Sequence, residues 1–136
     1  MMIMLIKVDF EFRISERYEY YVSHEGKVFR VDTRNGKFEE CYYHVAHGYK
    51  RIRVTDIDTN KRRYIRVHRL VAKYFIYNKN KDFNIVNHID CDKFNNHFTN
   101  LEWCNISINT QHAYDNDLVK DRGGWKSTPY LSRINK

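Results

Sequence analysis

Ile85-Val86-Asn87-His88-Ile89-Asp90, a polar run, and then Leu101-Glu102-Trp103 constrain this chain more than any other stretch. Ile85 and Val86 are β-branched, suit a pleated strand, and lead straight into His88. Residues 90–99 are crowded with Asp, Asn and Lys, whose short polar members bond their own backbone and favour turns. Leu101 and Trp103 alternate with Glu102, the period of a second short strand. Asn105 is then placed as a helix N-cap, with Ile106 to Tyr114 continuing as a helix. The order is strand, Asn-rich loop, strand, helix: a ββα unit with His88 on its first strand and Asn109 on its helix.

The chain before this unit reads as sheet and then helix. Residues 4 to 8 predict an opening strand, within a stretch from Ile3 to Arg17 that carries one or two. Tyr20-Tyr21-Val22-Ser23 and Lys27-Val28-Phe29 predict a hairpin around Glu25-Gly26. Gly48 to Val54 and Arg62 to Val67 flank the turn formers Asp58-Thr59-Asn60. Alternation puts Ile52 and Val54 on one face and Arg51 and Arg53 on the other, with Ile65 and Val67 likewise opposed to Tyr64 and Arg66. Val67, Leu70, Val71, Tyr74 and Phe75 then fall at helical spacing, and His68 at the start of that helix is assigned to packing or backbone bonding. A polar loop, Tyr77 to Phe83, leads into the central strand.

His68-Arg69-Leu70-Val71-Ala72, Val86-Asn87-His88-Ile89-Asp90, Asn95-Asn96, Asn100-Leu101-Glu102-Trp103 and Asn109 with His112-Ala113-Tyr114 resemble, in that order, the blocks of the HNH nucleases. The match is closest to the homing-endonuclease type of phages and mobile introns. Tyr20, Val22, Ser23, Gly26 and Val28 also resemble the small module that precedes the nuclease core in those proteins; its upstream Trp is missing, with Phe12 or Ile14 nearest. The resemblance implies an α+β fold, an N-terminal antiparallel β module followed by a ββα-metal (His-Me finger) HNH nuclease core. The expected division is residues 1–66, 67–114 and a tail at 115–136. Relatives often add a helix-turn-helix reading module after the core, and residues 115–136 are too few for one.

The implied chemistry is metal-dependent hydrolysis of a DNA phosphodiester, nicking one strand, with His88 as general base. Histidine suits that task because its ordinary pKa lies near neutrality. Asn87 and Asn109 would present amide oxygens to a divalent cation, Mg²⁺ or else Mn²⁺. The family often has Asp where this chain has Asn87, which removes one negative charge from the donor set. Asn100 takes the middle asparagine of the catalytic signature and would brace the loop. Asp90, two residues from His88 and expected on the same strand face, would orient the imidazole or accept a loop amide. His112, one helical turn after Asn109, is placed either against metal or phosphate or as a satisfied surface histidine. Cys91 replaces a common Gly and so implies a backbone without positive φ.

Charge supports a polyanionic partner. The chain of 136 residues carries 24 Lys and Arg against 17 Asp and Glu, a net +7, and is rich in Tyr and Phe. Between Lys50 and Arg69 there are eight basic residues and two acidic ones. Arg51, Arg53, Arg63, Tyr64 and Arg66 are the residues expected to lie along double-stranded DNA. Three cysteines without paired spacing point away from a disulfide framework and to a reducing, intracellular setting. Met1 to Ile6 is too short to span a membrane and lacks the features of a secretory leader. A monomer or weak dimer is expected. Two other readings stay open at this level: a DNA-binding relic that does not cleave, and a structural zinc module using His88, Cys91, His97 and Cys104.

Overall fold

The computed structural model describes residues 4–115. Seven strands precede the first helix: β1 (Leu5–Lys7), β2 (Tyr18–Ser23), β3 (Val28–Asp32), β4 (Phe38–Glu40), β5 (His44–Ala46), β6 (Tyr49–Asp56) and β7 (Lys61–Arg66). Helix α1 (Val67–Phe75), β8 (Ile85–His88), a short 3₁₀ turn (Phe98–Asn100), β9 (Leu101–Cys104) and α2 (Ile106–Asp115) complete it. The strands form three antiparallel sheets, ordered β1-β2-β3-β4, β5-β6-β7 and β8-β9. The expected α+β order is therefore observed. The tail beyond residue 115, with Gly123-Gly124, lies outside the described residues.

Helix α1 is the hub. Its apolar stripe, Val67, Leu70, Val71 and Ala72, is buried and meets Val22 and Val28 of the first sheet, Ile52 and Val54 of the second, and Val86 and Leu101 of the third in one core. Strand β7 ends at Arg66 and α1 begins at Val67 without a connecting residue. The core runs straight across that junction. Trp103 of β9 donates its indole N–H to the Ile76 carbonyl at 3.1 Å, fastening the end of α1 to the third sheet.

Local chemistry explains the element ends. Asn105 accepts the Ile108 N–H on its side-chain oxygen at 2.8 Å, which is the N-cap expected for α2. Asn60 closes the β6–β7 turn at φ 58, a conformation asparagine tolerates better than most residues. Cys91 corrects the sequence reading. Its φ is 67, in the left-handed region. The turn that ends β8 bonds the Cys91 N–H to the His88 carbonyl at 3.0 Å, and Cys91 is the residue by which the chain leaves that turn.

A non-glycine residue at such a φ carries strain of roughly 1–2 kcal/mol, partly offset because glycine loses about 0.5–1 kcal/mol more backbone freedom on folding. Cys91→Gly is therefore expected to stabilise the fold by about 0.5–1 kcal/mol, read as a higher urea midpoint at an unchanged slope.

Candidate active site

Strand β8 ends on His88, and the imidazole is only 5% exposed. Its Nε2 lies 2.7 Å from Oδ1 of Asn96, itself 4% exposed. An amide oxygen only accepts, so Nε2 carries the proton and Nδ1 is the basic nitrogen. Burial pulls the His88 pKa below its ordinary 6.5, although the Asn96 bond and the charges of Asp90 and Asp92 work the other way. The ring is thus neutral and its tautomer fixed, the state a general base requires. Asn96 stands in the Asn95-Asn96 doublet of the sequence, where nothing marks it off from its neighbour.

Asn100, at the end of the 3₁₀ turn, does something different. Its Nδ2 donates to Asp90 Oδ1 at 2.8 Å and to the Asn95 carbonyl at 2.9 Å, while its Oδ1 accepts the Asp90 N–H at 2.9 Å. Asp90 also accepts from Asn95 Nδ2 and from the Asp92 backbone N–H, each at 2.8 Å. These bonds, led by that from Asn95, hold the Asp90 carboxyl below the usual carboxylate range. Of the two roles expected for Asp90, the loop-amide one is observed. The strand has already ended at His88, so Asp90 sits in the turn rather than on a shared strand face.

Helix α2 supplies the opposite wall. Asn109 and His112 line the same cleft as Asn87 and His88, a space of about 500 Å³. His112 Nε2 lies 2.9 Å from the Ile89 carbonyl and its Nδ1 3.9 Å from Cys91 Sγ, so it ties α2 to the turn after β8. Asn87 is paired across the sheet with Glu102, and its Nδ2 donates to Glu102 Oε1 at 2.9 Å. Its carbonyl oxygen is left for another partner. A hard divalent cation takes oxygen donors, and the Asn87 and Asn109 amide oxygens fit that requirement. Both donors are neutral; the nearby negative charge sits one step back, on Glu102.

The zinc reading is not supported. His88 bonds Asn96, Cys91 lies by His112, His97 caps the 3₁₀ turn, and Cys104 is buried in β9. Among the described residues no three His, Cys, Asp or Glu side chains are grouped so as to hold a metal ion.

The arginine ribbon opens onto this cleft. Across β6 and β7, Arg51 faces Arg66 and Arg53 faces Tyr64, so the four expected to share a face do. Arg63 is the exception. It pairs with Val54 on the other face, contacts Asp56 at 3.3 Å, and covers the Phe12 ring. The Arg51 guanidinium lies 3.9 Å from the Tyr64 ring centre, and Arg66 4.6 Å from that of Tyr49. Tyr49 in turn stacks on His68 at 4.9 Å, and His68 lies 4.9 Å from His88. Arg66, Arg69 and Lys93 all line the cleft, and no carboxylate is among its described lining residues.

His68 has the packing role expected, without the backbone bond: its Nδ1 is buried and has no hydrogen-bond partner. Burial first, then the charges of His88, Arg66 and Arg69, lower its pKa from 6.5 to about 3. The folded chain therefore binds fewer protons here than the unfolded one. The stability this neutral ring provides is complete above pH 6.5 and is lost progressively as pH falls toward about 3. One such group contributes a slope of about 1.4 kcal/mol per pH unit in that window. His68→Gln should flatten the acid limb of stability against pH by that one-proton slope, measured by urea unfolding; an unaltered slope would refute the assignment.

The comparisons with known proteins meet this geometry. No family model matches the chain. Two proteins of Acanthamoeba polyphaga mimivirus named as HNH endonucleases are similar to it, one 40% identical over 101 residues and the other 35% over 109, each across 74% of this chain. A prophage-derived protein of Bacillus subtilis (strain 168), named as an HNH homing endonuclease, is 46% identical over 78 residues, 57% of this chain. The chain spans 28% and 24% of the two viral relatives' length and 44% of the Bacillus one. Among solved structures, that of the HNH homing endonuclease I-HmuI, titled for its DNA binding and cleavage, superposes with a TM-score of 0.62 at 29% identity, covering 85% of this chain and 64% of that one. In sequence and fold together, the chain is similar to HNH endonucleases, a prophage-derived homing type and the solved I-HmuI among them.

Proposed function

We propose that this chain is a metal-dependent DNA endonuclease that nicks one strand, with His88 as general base. One observation carries the reading: a neutral imidazole of fixed tautomer stands in a cleft lined by Arg66, Arg69 and Lys93 and by no carboxylate among its described residues. Such a cleft favours a phosphodiester over a neutral or cationic substrate. Arg66 belongs to both the cleft and the ribbon, so duplex DNA held along Arg51, Arg53 and Tyr64 brings a backbone phosphate to His88.

In this mechanism His88 Nδ1 takes a proton from a water molecule as the water oxygen attacks phosphorus. The bond from phosphorus to the 3′-oxygen breaks, and the cationic side chains offset charge on the non-bridging oxygens. Asn87 and Asn109 would hold a divalent cation, Mg²⁺ or Mn²⁺, which when bound offsets charge on the phosphate and the leaving oxygen. Glu102 keeps the Asn87 amide turned so that oxygen, not nitrogen, is available. One site per chain yields one cut strand per visit, with the protein acting as a monomer or weak dimer. Among the described residues no helix is long and apolar enough to cross a membrane.

The alternative of a DNA-binding relic rests on the neutrality of both amide donors. Supercoiled plasmid with Mn²⁺ separates the two: a folded protein that binds but never nicks is the relic. For the enzyme, His88→Ala should lower the nicking rate by about 10²-fold or more, the usual contribution of a positioned base, while DNA affinity stays within about twofold. Near wild-type nicking by folded His88→Ala protein would sink the assignment.

DNA placement is tested separately. Each Lys or Arg that neutralises a phosphate adds about 0.9 to the slope of log affinity against log salt. Arg51→Ala with Arg53→Ala should lower that slope by roughly two and weaken all sequences alike. Ile52 and Val54 keep the fold from the other face. An unchanged slope would put the duplex elsewhere.

A further inference from the structure

We propose that the β2–β3 turn of the N-terminal module is a positioning element for the imidazole, acting through Gly26 on Asn96. The inference rests on the reading of His88 as the base. Gly26 has φ +92, and a Cβ placed on it would lie 2.6 Å from both Cβ and O of Asn96 and 2.7 Å from its carbonyl carbon. The turn therefore presses directly on the backbone of the residue whose side chain holds His88. Two further contacts grip the same loop. The His24 carbonyl accepts the Phe98 N–H at 2.9 Å, and the His24 ring packs edge-on against those of His97 and Phe98 at 5.7 and 5.9 Å.

The turn is stiff enough to act as a stop. Val22, Ser23 and Val28 at its base are fully buried. The Ser23 carbonyl accepts the Gly26 N–H at 3.1 Å, and the Ser23 hydroxyl oxygen accepts the Lys27 N–H at 3.1 Å. A methyl group at residue 26 must instead move the loop, because ordinary contact begins near 3.4 Å. The required shift approaches 1 Å, and Asn96 bonds Nε2 at 2.7 Å, with no slack. Misplacement of that size at a reacting group costs about 10²-fold in rate.

Gly36 provides the control. It also has positive φ, +73, but no atom lies within 4 Å of a Cβ placed there. Gly36→Ala thus reports backbone strain alone, and Gly26→Ala reports strain plus the push on Asn96. With plasmid nicking, Gly26→Ala should lower kcat by about 10- to 100-fold with DNA affinity within about twofold, and Gly36→Ala should leave both unchanged. Nitrogen-15 NMR of histidine-labelled protein should show His88 as the Nε2-protonated tautomer in the wild type and Gly36→Ala, and as a tautomer mixture in Gly26→Ala. If Gly26→Ala does not fold, His24→Ala replaces it and should shift kcat and the tautomer in the same direction by a smaller factor. Unchanged kcat and tautomer in the folded variant, or an equal loss in Gly36→Ala, overturns the proposal. A wild type that never nicks removes the reading of His88 as base, while the tautomer measurement still judges the link from Gly26 to the ring.

Discussion

The hydrogen bond from His88 to Asn96 is the constraint the rest of the structure serves. A buried imidazole loses its proton easily, since burial penalises the charged form. Neutrality alone does not make a base, because either ring nitrogen could hold the remaining proton. Asn96 decides which. The oxygen that does so sits on a loop of polar residues with little apolar burial of its own, so its position must come from hydrogen bonds. Asn100 supplies them: three bonds from one amide join Asp90 and Asn95, on either side of the loop, into a closed ring. The two asparagines divide the work, one holding the loop and one holding the ring.

Electrostatics follow the same separation between what touches the cleft and what stands behind it. Arg66, Arg69 and Lys93 line it, and the carboxylates of Asp90 and Glu102 are engaged elsewhere, Asp90 by loop amides and Glu102 by Asn87. A carboxylate directly in the cleft would bind a cation more strongly and repel a phosphodiester. Placing Glu102 behind a neutral amide keeps its charge close without presenting it to the cleft. An Asp at the position of Asn87 would here face Glu102 across the sheet, two like charges in the place of one hydrogen bond.

Much of this was legible in the residues. The ββα order, the Asn105 cap and the shared face of Arg51, Arg53, Tyr64 and Arg66 follow from turn chemistry and a period of two. Arg63 was legible too: parity with Ile65 already assigned it to the other face, and grouping it with its neighbours ignored that rule. Glu102 was not, because its pairing with Asn87 depends on the register of β8 and β9, which the intervening loop sets. Nor was the role of Asn96. Two adjacent asparagines look alike in sequence, and only the path of the backbone turns one toward Asp90 and the other toward His88. Cys91 misled because absence of glycine argues against positive φ only on average, and the residue leaving this turn adopts it without one.

The ββα unit depends on the sheets that precede it. Taken alone, β8, β9 and α2 bury few apolar side chains: Val86, Leu101 and Cys104 are the fully enclosed ones among the described residues. A two-stranded sheet with so small a core is marginal in water. Its stability is borrowed from α1, whose apolar stripe packs at once on β2, on β6, and on β8 and β9. The same packing fixes distances, because a core at crystal-like density transmits displacement instead of absorbing it. The turn bearing Gly26 therefore reaches Asn96 at a set separation, and the ribbon bearing Arg66 reaches the cleft at another. What looks in sequence like a small accessory module ahead of an enzyme core is, in the fold, one side of the mould in which the histidine is held.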